Sequence, residues 1–189
     1  SEETLKKVIF VIPMYNASDH LDDLVASLKE QTNPSWEAIL IDDMSEDDSY
    51  QMAKICFGGD KRFSIIKNKE KKWALKNVVE TSRKFQNDPD VIIANLDGDD
   101  ALCNENTVDI LLSNYDNETD TLWTSHSWDI NGLNISKELP EKINPYQCPW
   151  CTSHLKTFRA TLLKNISDKN FKDLDENWFK RGYDQALYL

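Results

Sequence analysis

The chain has 189 residues, 40% of them hydrophobic and 29% charged, with a formal net charge of −11. That length and balance suit one ordinary globular domain and exclude a disordered or fibrous chain. The negative charge excludes a nucleic-acid backbone or an anionic membrane surface as partner, because both demand basic patches, and no apolar run approaches the ~20 residues needed to span a bilayer.

From the N-terminus, an apolar, β-branched run over Lys7 to Ile12 predicts a strand, and Ser18 is placed to cap a helix running to about Glu30. Trp36 to Ile41 predicts a second strand ending at Asp42 and Asp43, with Ser45 as cap of a helix from about Glu46 to Cys56, closed by Gly58-Gly59. The acids Glu46, Asp47 and Asp48 then read as a solvated first helical turn. A third unit follows: a strand over Phe63 to Lys67, and helical spacing of apolar residues from Trp73 to Phe85, stopped by Pro89. Repeated β-α units of this kind predict a mainly parallel, Rossmann-like α/β sheet flanked by helices.

The fourth strand carries the clearest functional signal. Val91-Ile92-Ile93-Ala94-Asn95-Leu96 is a continuous apolar run, as in a strand buried on both faces, and it discharges into Asp97-Gly98-Asp99-Asp100. Ligands of open α/β sheets bind just beyond the carboxyl ends of the strands, so these acids stand where a ligand stands. An extended chain puts Asp97 and Asp99 on one side, and Gly98 permits a close backbone approach. Two carboxylates so near repel each other unless a cation neutralises them. An all-oxygen site suits Mg²⁺ or Mn²⁺, and such an ion bridges naturally to phosphate.

Beyond the acids, Glu105 to Tyr115 predicts a helix and Thr121 to Trp128 a strand. Residues 131–152, rich in Asn and Pro, predict a long loop of the kind that usually serves binding. Phe158 to Lys164 and Gly182 to Leu189 read as helical, and the final apolar stretch stops abruptly, as in a chain truncated at its C-terminus. The N-terminus shows no signal-peptide core, so a cytoplasmic setting and reduced thiols are expected for the four cysteines. Cys148-Pro149-Trp150-Cys151, followed by His154, has the outline of a dithiol or half a zinc site. It lacks an early strand before it and an evident fourth ligand, so neither reading is favoured.

Four motifs fall at successive predicted strand ends: Val11-Ile12-Pro13-Met14-Tyr15-Asn16, Ile41-Asp42-Asp43-Met44-Ser45, Asn68 with Ala74-Leu75-Lys76-Asn77, and Leu96-Asp97-Gly98-Asp99-Asp100. Together they resemble the GT-A glycosyltransferases of family 2. The resemblance implies one GT-A domain over residues 1–189, with a nucleotide-sugar half over 7–100 and an acceptor half over 121–189. It implies a metal-dependent, inverting transfer of a sugar from a nucleotide-diphosphate donor to a hydroxyl of a glycan, protein or lipid acceptor. Pro13, Tyr15 and Asn16 would lie along the nucleotide, with Tyr15 flanking the base. Asp43 would accept a hydrogen bond from the base N3–H, a group that uracil and thymine carry, which favours a UDP-sugar.

Asp97 would face the ribose or a metal-bound water, Asp99 would ligate Mn²⁺ or Mg²⁺, and Lys76 and Asn77 would reach the diphosphate or sugar hydroxyls, with Gly98 between the acids. Trp73 stands where the family generally has a small residue. Phe179-Lys180-Arg181-Gly182-Tyr183-Asp184-Gln185-Ala186-Leu187 resembles the family's base-bearing segment, which makes Asp184 the base that deprotonates the acceptor. Trp150 and His154 would line the sugar or acceptor side, with His154 a candidate third metal ligand. Lys156 and Arg159 are either diphosphate contacts or simple solvated charges, the latter slightly preferred. Two rival classes stay in view. A sugar nucleotidyltransferase should carry a glycine-rich basic loop where this chain has Pro13-Met14-Tyr15-Asn16, and a Ca²⁺- or carbohydrate-binding module should show ligand spacing absent from Asp97-Gly98-Asp99-Asp100.

Overall fold

The structure, a computed structural model, describes residues 6–102, 104–115, 121–124 and 155–172. Six strands form one sheet: β1 (Lys7–Met14), β2 (Trp36–Asp42), β3 (Phe63–Lys67), β4 (Val91–Asn95), β5 (Thr121–Thr124) and β6 (Leu155–Arg159), in the spatial order β3-β2-β1-β4-β6-β5. The pairs β1–β2, β2–β3 and β1–β4 are parallel, and β6 runs antiparallel to both β4 and β5. The expected mainly parallel sheet is therefore present, with one reversed strand in it.

Alternation along β1 builds both halves of the core. Val8, Phe10 and Ile12 join Leu21, Leu24 and Leu28 of α1 (Leu21–Lys29), Ala53 and Phe57 of α2 (Ser49–Phe57), and Val108 and Leu111 of α4 (Thr107–Asn114). Ile9 and Val11 face the other way, onto Leu75, Val78 and Val79 of α3 (Trp73–Arg83) and onto Phe158, Leu163 and Phe171 from the chain that follows. A strand apolar on every residue is what a sheet covered on both faces requires. Trp36 anchors the first half, edge-on to Phe10 and Phe63, with the Arg62 guanidinium 4.0 Å above its ring.

Three boundaries differ from expectation. Ser18 does not cap the first helix: Ser18–His20 is a 3-10 turn, and α1 begins at Leu21 without a side-chain cap. Helix α2 starts at Ser49, not near Glu46: Met44 has a left-handed φ of 66°, Ser45 Oγ accepts the Asn16 amide at 3.0 Å, and Asp47 accepts the Ser49 amide at 3.0 Å. The acids at 46–48 thus form the loop before the helix, and Gly58, at φ 58°, supplies the left-handed residue that ends it. The helix expected over Phe158 to Lys164 is absent: Leu155–Arg159 forms β6, and Ala160–Asn165 is a 3-10 turn. Lys156 in β6 is only 3% exposed, so it is not a solvated charge. Arg159 donates to the Pro89 carbonyl at 3.1 Å. The expected loop over 131–152 and the helix over Gly182 to Leu189 lie outside the described residues. No helix among the described residues is long and apolar enough to cross a membrane.

Candidate active site

The chain leaves β1 for β2 and β3 on one side, then returns to place β4 on the other. Such a reversal opens a crevice at the carboxyl ends of the two strands that flank it, here β1 and β4. Hydrogen bonds stitch the loops of this edge together. Asp43 N–H donates to the Met14 carbonyl at 3.0 Å, Asn68 N–H to Asp42 at 2.9 Å, Leu96 N–H to Val11 at 3.2 Å and Gly98 N–H to Pro13 at 3.1 Å. All four strand-end motifs consequently meet at one edge.

Gly98 is fixed by the close approach of β1 itself. A Cβ there would lie 2.5 Å from Met14 Cβ and 3.1 Å from the Pro13 oxygen. On either side of this contact Asp97 and Asp99 are exposed and Asp100 is half-buried, with carboxylate oxygens of all three within 4.8 Å of one another. Opposite oxygen ligands of a small hard cation sit roughly 4 Å apart, so only small side-chain adjustments separate this trio from a geometry that could hold one. Asp100, quoted in the motif but not proposed as a ligand, belongs to the group.

Asp43 has a different environment. It is 3% exposed, and its Oδ1 accepts Asn68 Nδ2 at 2.9 Å and the Lys72 amide at 2.8 Å, while Oδ2 accepts the Trp73 amide at 2.8 Å. Lys72 and Trp73 open α3, so Asp43 caps that helix from another loop and meets the positive end of its dipole. Burial pushes the Asp43 pKa up, but the hydrogen bonds from Lys72, Asn68 and Trp73 outweigh it and hold the carboxyl below the ordinary 3.8. It is an ionised acceptor at neutral pH.

A cleft of about 180 Å³ lies beside it, lined by Pro13, Met14, Tyr15, Asp43, Lys71, Trp73, Ala74 and Asn77. Asn77 is 2% exposed; its Oδ1 accepts Asn68 Nδ2 at 2.8 Å, and its own Nδ2 is buried with no hydrogen-bond partner among the described residues. A buried donor without a partner is costly, and a ligand in the cleft is a natural acceptor for it. Lys76, on the same helix, lies 3.8 Å from Glu80. Asn16 serves the neighbouring loop, its Oδ1 accepting the amides of Glu46 and Asp47 at 2.8 and 3.4 Å. Of the sequence-predicted residues, Pro13, Tyr15, Asp43 and Asn77 line the cleft, and Asp97, Gly98 and Asp99 flank it through the Gly98–Pro13 bond. Trp150, His154 and Asp184 lie outside the described residues. Sequence reasoning missed Lys71, whose ammonium stands over the Tyr15 ring, and the backbone donors to Asp43; no spacing signal marks either.

The fold and this site define a mainly parallel α/β domain with an acidic strand-end cluster. Residues 9–167 match the profile of Glycosyl transferase family 2, and the chain belongs to that family. It is 30% identical over 93 residues to TuaG of Bacillus subtilis strain 168, provisionally named as a teichuronic acid biosynthesis glycosyltransferase, covering 49% of this chain and 36% of that protein. Staphylococcus aureus TarS 1–349, solved in complex with UDP, superposes with a TM-score of 0.66 at 20% identity, over 95% of this chain and 53% of that one. Mannosyltransferase PcManGT from Pyrobaculum calidifontis, solved with GDP-Man and Mn²⁺, superposes with a TM-score of 0.55 at 14% identity, over 64% and 35%. The chain thus spans between about a third and about half of the length of these proteins.

Proposed function

We propose that this chain is the donor-binding part of a metal-dependent, inverting glycosyltransferase that takes a UDP-sugar and delivers the sugar to an acceptor hydroxyl. The observation that carries the proposal is the meeting of two unlike groups at the β1/β4 crevice: an aromatic-lined cleft with an ionised acceptor, and three carboxylates gathered within 4.8 Å of one another. The TarS complex with UDP supports the choice of nucleotide. The Mn²⁺ of PcManGT supports the metal.

In this reading Tyr15 packs on the base, and Asp43 Oδ2, which accepts the Trp73 amide, also accepts the base N3–H. Asn77 Nδ2 donates to a diphosphate or sugar oxygen. Asp99, with Asp97 and Asp100, holds Mn²⁺ or Mg²⁺, which when bound neutralises charge gathering on the departing nucleotide diphosphate. Asp184 takes the acceptor proton as the hydroxyl attacks the anomeric carbon from the side opposite the diphosphate, so a single displacement inverts that centre.

The test is calorimetric titration with UDP, dTDP, GDP and CDP, with and without Mn²⁺, on the native chain and on Asp99→Ala. UDP is expected to bind tightest, to need Mn²⁺, and to lose at least tenfold in affinity in the variant. A folded native chain that binds no nucleotide in the presence of Mn²⁺ rules the proposal out.

A further inference from the structure

Trp73 is held in an unfavourable backbone state. Its φ is +67°, a region that side-chain-bearing residues rarely enter, yet its amide is fixed on Asp43 at 2.8 Å and its side chain is left 40% exposed on the wall of the cleft. Across the cleft Tyr15 is 47% exposed. Between them stands the Lys71 ammonium, 3.2 Å from the Tyr15 ring centroid and 5.0 Å from that of Trp73. It also lies 3.6 Å from Asp43 Oδ2 and 3.3 Å from the Asp43 carbonyl oxygen.

Two facts make this arrangement more than a surface contact. Two large, partly exposed aromatic side chains line one cleft and touch the same ammonium, which places a ready stacking surface there. The ammonium, finally, occupies both an aromatic face and the carboxylate oxygen Oδ2, a cation–π contact and an ion pair that a base with an N–H edge would replace one for one.

We infer that Tyr15 and Trp73 form a two-sided slot for the nucleobase, and that Lys71 is a built-in occupant which the base displaces. The inference rests on the donor-binding reading above and extends it to a residue that reading does not use. Trp73 is then a positioning residue for the base, held in its strained conformation by the Asp43 carboxylate. Lys71 keeps the slot formed, and Asp43 paired, while no nucleotide is bound. Its exit makes room for the base and frees Oδ2 for the base edge.

The experiment compares binding of UDP, or of the nucleoside diphosphate preferred in the panel above, with binding of manganese pyrophosphate, which has the charge but no base. The variants are Trp73→Gly, which accepts the positive φ without strain, Trp73→Phe and Lys71→Met. Trp73→Gly is expected to lose roughly five- to 150-fold in nucleotide affinity, the range for one stacked base, with pyrophosphate binding unchanged. Trp73→Phe should recover most of that loss, and Lys71→Met should bind the nucleotide at least as tightly as the native chain. Native-like nucleotide binding by Trp73→Gly overturns the slot. Loss of pyrophosphate binding together with nucleotide binding overturns it too, because the tryptophan would then be supporting the loop rather than the base. Weaker nucleotide binding in Lys71→Met overturns the displaced-occupant role. A native chain that binds no nucleotide defeats the transferase proposal itself, whereas one that binds nucleotide with an affinity Trp73→Gly leaves unchanged defeats this inference alone.

Discussion

Gly98 and Asp43 each hold the site by a contact that can be tested one atom at a time. In Gly98→Ala the new methyl meets Met14 Cβ at 2.5 Å and the Pro13 oxygen at 3.1 Å, so β1 or the acidic loop must move. Overpacking of this kind costs ~1–3 kcal/mol, which for a domain of this size lowers Tm by roughly 3–10 °C. Because the displaced loop carries Asp97 and Asp99, Mn²⁺-dependent nucleotide affinity should fall as well. A melting curve within a degree of native contradicts the close-approach argument. Asp43 makes a pH prediction. Its folded pKa is depressed, so its stabilising effect is complete above the unfolded value near 3.8 and is lost as pH falls through the lower folded value. Urea midpoints measured from pH 6 down to pH 3 should therefore drop more steeply for the native chain than for Asp43→Asn, which cannot titrate. Parallel curves would show that the carboxylate does not stabilise the fold through its charge.

At the level of elements, legibility in the sequence followed the source of each element's stability. Strands β1, β2, β3 and β4 and the four helices were readable because their burial is written in apolar runs and helical spacing. Strand β6 was not, since Lys156 and Arg159 interrupt the apolar pattern although Lys156 is buried, and the Leu162-Leu163 pair beyond it mimics a helix. The start of α2 was misplaced by about three residues because Ser45 faces the Asn16 amide instead of a helix terminus. The strand-end acids and Tyr15 stood out as residue types in the wrong place for a core. What could not be read was the donor set of Asp43, two backbone amides whose direction depends on the left-handed turn at Trp73. Nothing in a spacing pattern encodes that turn, and the usual marker for it, glycine, is absent here. Lys71, which stands over Tyr15, sits in the charged run Lys69-Glu70-Lys71-Lys72, where no spacing sets it apart.

For the molecule as a whole, the sheet order decides where chemistry can sit. Only the β1/β4 junction has strands whose following loops diverge, and the Tyr15 cleft and the acid trio lie there. The net charge of −11 gives that junction a second property: an anionic nucleotide is repelled at long range and needs local positive charge to stay. Lys76 and a bound divalent ion would be the sources at hand.

The placing of β6 beside β4 also has a consequence for how the chain is made. Strand β4 is complete at Asn95, but the partner that covers its outer edge begins at Leu155, roughly 60 residues and some 3–12 s of synthesis later at ribosomal speed. During that interval Val91, Ile92, Ile93 and Ala94 form an uncapped apolar edge, open to pairing with a neighbouring nascent chain. A chain ended at residue 150 should accordingly emerge as aggregate while one extended through residue 172 stays in solution, and equal yields of soluble protein from the two would show that the exposed edge is harmless. Yield should then depend on a strand that lies beside β4 and outside the lining of the Tyr15 cleft.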